Sequence, residues 1–447
     1  MIVRFSVENW MSFRGKAELS MIASRERQHG DRVPRVGKYR AGILPVAAVY
    51  GGNASGKTNL FRALNFAKRL IVRGTQPEDQ IPVQPFRLDE ESTDLPVRFC
   101  FELLIDEKIY EYLFAVTSTD VLEEKLVEIS SVSEKVLFER RDGKPNFHES
   151  LREDQRLGIV FEGTRDNQLF LTNSVSQKVR DFSPVYSWFR DSLELLAPDS
   201  KFQPFEQFLD EKNVLYAMMK DVLPQLDTGI SRLGEESIPF ELLPVSDSLK
   251  TKLKEDVKEN VAVRLIDTGQ SGDYFLITRE NKELQVRKLV AFHSGANGAD
   301  VKFELHDESD GSRRIIDLLP AFLALSSGKA KKVVVIDEID RSLHTLLTRR
   351  LLEMYLGNCS PESRSQLLFT THDVFQMDQN LLRRDEMWVT EKNAIGESRL
   401  YSFSEYKDVR YDKDIRKSYL QGRLEGIPKI LFCGACSERA DAGSGND

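Results

Sequence analysis

One short stretch restricts the fold more than anything else in the sequence: Gly51-Gly-Asn-Ala-Ser-Gly-Lys-Thr58. It follows the apolar run Pro45-Val-Ala-Ala-Val-Tyr50 and opens Asn59-Leu-Phe-Arg-Ala-Leu-Asn-Phe-Ala-Lys-Arg-Leu70, where apolar residues recur at helical spacing. A glycine-rich turn ending in Gly-Lys-Thr between a buried strand and a helix is the context a phosphate-binding loop requires. Backbone N–H groups and the helix N-terminus can cradle phosphates, Lys57 can reach the outer ones, and the Thr58 hydroxyl can ligate Mg²⁺. Gly51, Asn53, Ala54, Ser55, Gly56, Lys57, Thr58 and Asn59 are therefore the expected phosphate-binding residues of an α/β fold. The alternative is a glycine-rich turn with no ligand.

A second half of such a site lies far away. Val333-Val-Val-Ile336 is apolar enough to be buried on both faces, and it ends in Asp337-Glu338. A carboxylate at the end of a buried strand is costly unless it is paired or near a metal. Asp337 suits Mg²⁺, and Glu338 suits a general base acting on water. Lys57 and Asp337 are 280 residues apart, far more than a compact ring-type or helicase-type core places between these motifs. Upstream, Ser309-Asp-Gly311-Ser312 opens a helix over Ile315–Leu325 and offers a second anion-binding end. Downstream, Thr370-Thr-His372 follows the strand Gln366–Thr370, and His372 can hydrogen-bond a terminal phosphate.

Between these motifs, Val97–Leu104, Lys108–Thr117 and Val136–Arg140 read as an antiparallel meander with turns at Asp106-Glu107 and Asp142-Gly143. Tyr186–Leu196, Pro204–Leu223 and Leu249–Asn260 read as helices, and strands return at Val261–Leu265, Tyr274–Thr278 and Lys302–Leu305. The expected division is an N-terminal half over 1–174, a helical lobe or insert over 175–300, a C-terminal half over 301–430 and a flexible tail over 431–447. The formal net charge of −8 gives no electrostatic case for a nucleic-acid coat or a membrane-surface binder. No apolar run reaches the roughly 20 residues that span a bilayer, and Met1–Val7 alternates like a strand rather than a signal peptide. Four cysteines make no disulfide framework, and Cys433-Gly-Ala-Cys436 has no second pair to complete a zinc site. A cytoplasmic protein is the expectation.

The order of phosphate loop, Ser-Asp-Gly-Ser, Asp337-Glu338, Ser342-Leu-His344 and Thr370-Thr-His372 resembles the ABC-type ATPase heads of SMC-like and RecF-like proteins. More narrowly it is similar to the AAA-type ATPases of bacterial abortive-infection and anti-phage operons, the RloA-like and AriA-like group. Phe5-Ser-Val-Glu-Asn-Trp-Met-Ser-Phe-Arg14, Asp385-Glu-Met-Trp-Val-Thr-Glu-Lys392 and Tyr419-Leu-Gln-Gly-Arg-Leu-Glu-Gly-Ile-Pro428 carry that likeness. The resemblance implies a head with a mixed sheet, an antiparallel meander and a helical lobe that binds and hydrolyses ATP with Mg²⁺. Lys57, Thr58 and Asp337 would bind phosphate and metal, Glu338 would activate water, and His372 would sense the γ-phosphate. Ser309 and Gly311 would act in trans, which implies a homodimer or a larger even-numbered assembly. Gln84 is the candidate glutamine switch, and Ser12 and Arg14 would border the adenine. His344 stands where the superfamily more often has Asp. The implied partner is a separately encoded toxic effector, a TOPRIM-like or other nuclease, released by a phage protein. The competing expectation is a DNA-repair ATPase of the RecF or SMC kind that binds DNA directly through the basic residues of Arg25–Arg40 and through Arg341, Arg349 and Arg350.

Overall fold

The computed structural model describes residues 1–141, 143–200, 213–257, 263–266, 273–280, 283–327, 331–406 and 414–421. The apolar run before the phosphate loop needs neighbours on both edges and both faces, and it has them. Val46–Tyr50 lies inside a six-stranded sheet ordered Leu193–Leu196, Val333–Ile336, Gln366–Thr370, Val46–Tyr50, Met387–Lys392, Ser398–Ser402. The first five strands are parallel and the last is antiparallel. Side chains alternate across a strand, so one apolar run feeds two cores. Ala47, Val49, Val333, Val335 and Leu368 enter one core. Val46, Ala48, Tyr50, Val334, Ile336, Leu367 and Phe369 enter the other.

The first core is filled by the helix Lys57–Arg73, through residues such as Leu60, Leu64, Phe66 and Ile71. It is roofed by a seven-stranded antiparallel sheet in the order Lys144–Phe147, Glu134–Arg141, Val121–Ile129, Lys108–Val116, Val97–Ile105, Ile2–Glu8, Ala17–Ser20. Phe66 of the helix stacks on Phe99 of the roof at 5.3 Å, and Phe99 on Phe114 at 5.0 Å. The second core is covered by the helices Asp310–Ser326 and Thr345–Gly357. The observed class is therefore α/β, with a central mixed sheet and separate antiparallel sheets.

Several expectations need correcting. Tyr186–Leu196 is not one helix: a helical stretch ends in a wide turn over Trp188–Ser192, and Leu193–Leu196 becomes the edge strand beside Val333–Ile336. A short apolar run suits a strand as well as a helix turn, and the unpaired edge of the parallel sheet decides between them. The meander gains two strands, Val121–Ile129 and Lys144–Phe147. In Val121–Ile129 a register shift between Leu126 and Val127 breaks the alternation that would have disclosed it. The 175–300 segment contains helices but is less helical than its polar composition suggests. Ile230–Ile238, Val263–Ile266, Tyr274–Glu280, Glu283–Ser294 and Asp300–Glu304 form a five-stranded antiparallel sheet with its own small core around Phe275, Ile277 and Val286. The Asp106-Glu107 turn holds, with φ of 47° and 61°. The 431–447 tail, Cys433, Cys436 and Asp142 lie outside the described residues, as do most of the Tyr419–Pro428 ending and residues 204–212.

Of the basic clusters, Arg32 is buried against Glu386 at 2.5 Å, Arg341 pairs with Asp199 at 3.0 Å, and Arg349 bridges Glu353 and Asp378 at 2.9 and 2.8 Å. Among the described residues no helix is long and apolar enough to cross a membrane.

Candidate functional site

The phosphate loop is shaped by what lies behind it. Gly51 has φ +144° and Gly56 φ +121°, conformations that side-chain-bearing residues rarely adopt. A Cβ on Gly51 would lie 2.5 Å from the Thr390 carbonyl, and one on Gly56 would lie 2.9 Å from Ser398 Cβ. Ser55 Oγ is 2.6 Å from Thr390 Oγ1, which ties the loop to the neighbouring strand. Asn59 Nδ2 donates to Ser12 Oγ at 2.7 Å, and Trp10 Nε1 donates to the Asn59 carbonyl at 2.9 Å. Ser12 thus sits at the base of the loop. Arg14 instead pairs with Asp89 at 2.6 Å.

The loop opens on a cavity of about 430 Å³ lined by Asn53, Ala54, Ser55, Gly56, Lys57, Thr58, Asn59, Glu338, His372 and Lys392. Four parallel strands deliver these groups, ending before the loop, Glu338 and His372 and at Lys392, because parallel neighbours place their C-terminal ends on one side of the sheet. Lys57 is 5% exposed, and its ammonium donates to the carbonyls of Gly51 at 2.7 Å and Gly52 at 3.0 Å. Burial lowers its pKa to about 8, and the carboxylates of Asp337, Glu338 and Asp340 only partly oppose this. A bound polyanion would favour the charged form again.

Asp337 is buried at the strand end, where Thr370 Oγ1 donates to its Oδ1 at 2.6 Å. The same Thr370 oxygen accepts from Glu338 N–H at 2.8 Å. One hydroxyl therefore fixes both acidic residues. Glu338 has φ 51° and a half-exposed side chain, so its carboxylate is open to water. His372 Nδ1 lies 3.4 Å from the Lys57 ammonium, and its Nε2 lies 3.9 Å from Glu338 Oε1. Burial, then the Lys57 charge, lower the His372 pKa below its ordinary value. The ring is thus neutral near pH 7, and its contact with Glu338 is not an ion pair at that pH. An ammonium only donates, which leaves Nδ1 as acceptor and puts the ring proton on Nε2.

Ser309 caps the helix Asp310–Ser326, its Oγ accepting from Ser312 N–H at 3.1 Å. A Cβ on Gly311 would stand 3.0 Å from the Ser342 carbonyl, so that position needs a small residue. Neither Ser309 nor Gly311 lines the cavity of its own chain. Gln84 is set apart from it too. The Gln84 carbonyl accepts from Met11 N–H at 2.8 Å, and the residue lines a different cavity along the flank of the phosphate-loop helix. His344 Nδ1 accepts from Leu346 N–H at 3.2 Å and caps Thr345–Gly357, a task that an Asp carboxylate performs equally well. Lys392 at the cavity mouth and the double bond of Thr370 were not anticipated. Lys392 closes the Asp385–Lys392 motif, and Thr370 opens Thr-Thr-His, so both lay within segments already singled out.

A family model described as "AAA domain, putative AbiEii toxin, Type IV TA system" matches residues 46–378. The chain belongs to this AAA-domain family. The matched AAA-domain segment runs from the strand before the phosphate loop to just past His372 and contains every motif of the cavity except Lys392. No curated protein gives a significant match. Among solved structures, the chain is similar to an SMC head bound to the C-winged helix domain of ScpA, at 10% identity, with 90% of this chain and 97% of that one covered and a TM-score of 0.37. It is similar also to the SMC head domain from Thermotoga maritima, at 12% identity, with 90% and 98% covered and a TM-score of 0.33. Both likenesses are loose, and the fold described above stands on strand order and register alone.

The donor set fits a nucleoside triphosphate with a hard divalent cation. Backbone N–H groups, Lys57 and the helix N-terminus suit phosphates, while the Thr58 hydroxyl and the Asp337 carboxylate are oxygen donors. Among the described residues no group of three or more His, Cys, Asp or Glu could hold a metal by itself.

Proposed function

We propose that this AAA-domain chain is an ABC-type ATPase head that works in pairs and regulates a separately encoded toxic effector. The observation that carries the reading is the meeting of the phosphate loop with Glu338 and His372 in one cavity. ATP would be held by the loop backbone from Asn53 to Asn59 and by Lys57, and Mg²⁺ by Thr58 and Asp337. The cation, when bound, supplies charge neutralisation at the phosphates. Glu338 accepts a proton from water as general base, and Thr370 holds it in register with Asp337. Neutral His372 donates from Nε2 toward the outer phosphate position, and Lys392 adds a positive charge at the mouth. Ser309 and Gly311, standing outside their own cavity, complete the site of a second copy in this reading, giving a homodimer or a larger even-numbered assembly. The family description supports a toxin-linked setting. A nuclease of TOPRIM-like or other type, released when a phage protein is sensed, is the effector we infer.

Glu338→Gln tests the core of the proposal. Turnover should fall by about 100-fold or more, ATP binding should persist, and light scattering with ATP should register a larger assembly. Unchanged turnover would remove Glu338 from its role.

A further inference from the structure

The helix Lys57–Arg73 contains Lys57, Arg62, Lys68, Arg69 and Arg73 but no Asp or Glu. Lys57 serves the phosphate loop, and Lys68 donates to the Leu193 carbonyl. Arg62, Arg69 and Arg73 are exposed, and among the described residues their side chains form no hydrogen bond or ion pair. Their spacing of seven and four puts them on one face, spread over roughly 16 Å of helix. All three line a cavity of about 290 Å³, together with Asn65, Gln84 and an apolar wall that includes Met11 and Leu70. The cavity shares no lining residue with the phosphate site, to which Trp10 is tied by its hydrogen bond to the Asn59 carbonyl.

Three cations along so long a row do not converge on a single phosphate. Single-stranded nucleic acid needs exposed rings on which to stack bases. Here Trp10 and Phe66 are 3% and 9% exposed and packed on each other at 5.0 Å, and the Trp10 N–H is taken by Asn59. What remains is a linear array of positive charge beside an apolar slot, with two side-chain amides able to pair with a peptide backbone.

We infer that this face docks an acidic peptide segment of a partner protein, with carboxylates on Arg62, Arg69 and Arg73 and one apolar side chain in the slot. The surface does not depend on the nucleotide reading. A display library of random dodecapeptides selected on the purified full chain tests it. Selection should enrich sequences with acidic residues around one large apolar residue. Synthesised and labelled, these should lose affinity by about tenfold with Arg69→Glu and further with all three arginines reversed. ATP binding, measured in parallel, should stay unchanged and so report intact folding. Arg69→Ala should fall between wild type and Arg69→Glu. Failure to enrich an acidic motif, or equal binding by the triple variant, would overturn the inference. Displacement of the peptides by oligothymidylate of higher affinity would overturn it as well, in favour of nucleic acid.

Discussion

At Lys57, ligand binding and folding stability pull in opposite directions. The ammonium is 5% exposed and has backbone carbonyls and a neutral imidazole as its close neighbours, so burial brings its pKa from 10.5 to about 8. At about 1.4 kcal/mol per pKa unit, this difference corresponds to about 3 kcal/mol lost in carrying the charge in the absence of ligand. The folded pKa lies below the unfolded one, so between about pH 8 and 10.5 the unfolded chain binds more protons and stability rises with pH. Below about pH 8 the lysine is charged in both states, and its contribution is flat. Lys57→Met removes the titrating group while keeping much of its volume. The wild type should therefore gain about 3 kcal/mol on the variant as pH goes from 7 to 10.5, whatever other groups do in common. Urea unfolding without nucleotide measures the difference. Tryptophan fluorescence suits it, because Trp10, Trp188 and Trp388 all lie in the core that the phosphate-loop helix fills. A stability difference constant over this pH range would refute the reasoning. A bound phosphate should restore the charge, so ATP affinity should weaken as pH rises above 8 in the wild type alone.

Gly56→Ala should destabilise the chain by at least about 2 kcal/mol in denaturant melts, because it combines a φ of +121° with a Cβ 2.9 Å from Ser398 Cβ. Arg314 lies on the Ser309-capped helix, 5% exposed, and among the described residues all three of its guanidinium nitrogens lack a hydrogen-bond partner. Burial outweighs the favourable field of Asp317, Asp199 and Glu338 at this guanidinium, so Arg314→Met should raise stability by about 1 kcal/mol or more, an apolar side chain of similar length replacing a buried charge; a lowered unfolding midpoint would show that those carboxylates outweigh the burial.

What could be read from sequence follows from the range of the interactions involved. Val333–Ile336 and Gln366–Thr370 were placed residue for residue, because a strand buried on both faces of a parallel sheet must be apolar throughout. The phosphate loop and its helix were equally legible, since their chemistry is local. Leu193–Leu196 was misread because its identity depends on a partner strand 140 residues downstream. Val121–Ile129 was missed partly because buried Glu124 reads as a surface residue. In the fold its carboxylate accepts from the Tyr112 hydroxyl at 2.8 Å and from the N–H groups of Phe170 and Leu171 at 2.6 and 2.9 Å. Asp337 and Glu338 stand directly after the strand Val333–Ile336, but the Thr370 hydroxyl that positions both depends on strand register and has no sequence signature of its own. Gln84 stands apart from the cavity for a related reason: a loop residue is placed by whatever its backbone pairs with, here Met11.

The floor of the phosphate loop comes from beyond the segment that the family model matches. The match ends at residue 378, whereas the atoms that confine Gly51 and Gly56 belong to Thr390 and Ser398. Met387–Lys392 also forms one edge of Val46–Tyr50, pairing Met387 with Ala48 and Val389 with Tyr50. A chain ending at Asp378 would leave that edge open and strip the loop of the surface that dictates its two strained glycines. It would also lose buried Met387, Trp388 and Val389, each contributing about 1.5–3 kcal/mol or more of apolar burial. Residues 1–378 should therefore fail to bind ATP even though every phosphate-contacting residue of the loop is present, whereas residues 1–421 should bind it. Equal ATP affinity of the two chains by calorimetry would show that the loop shapes itself, and that the C-terminal strands contribute nothing to the site.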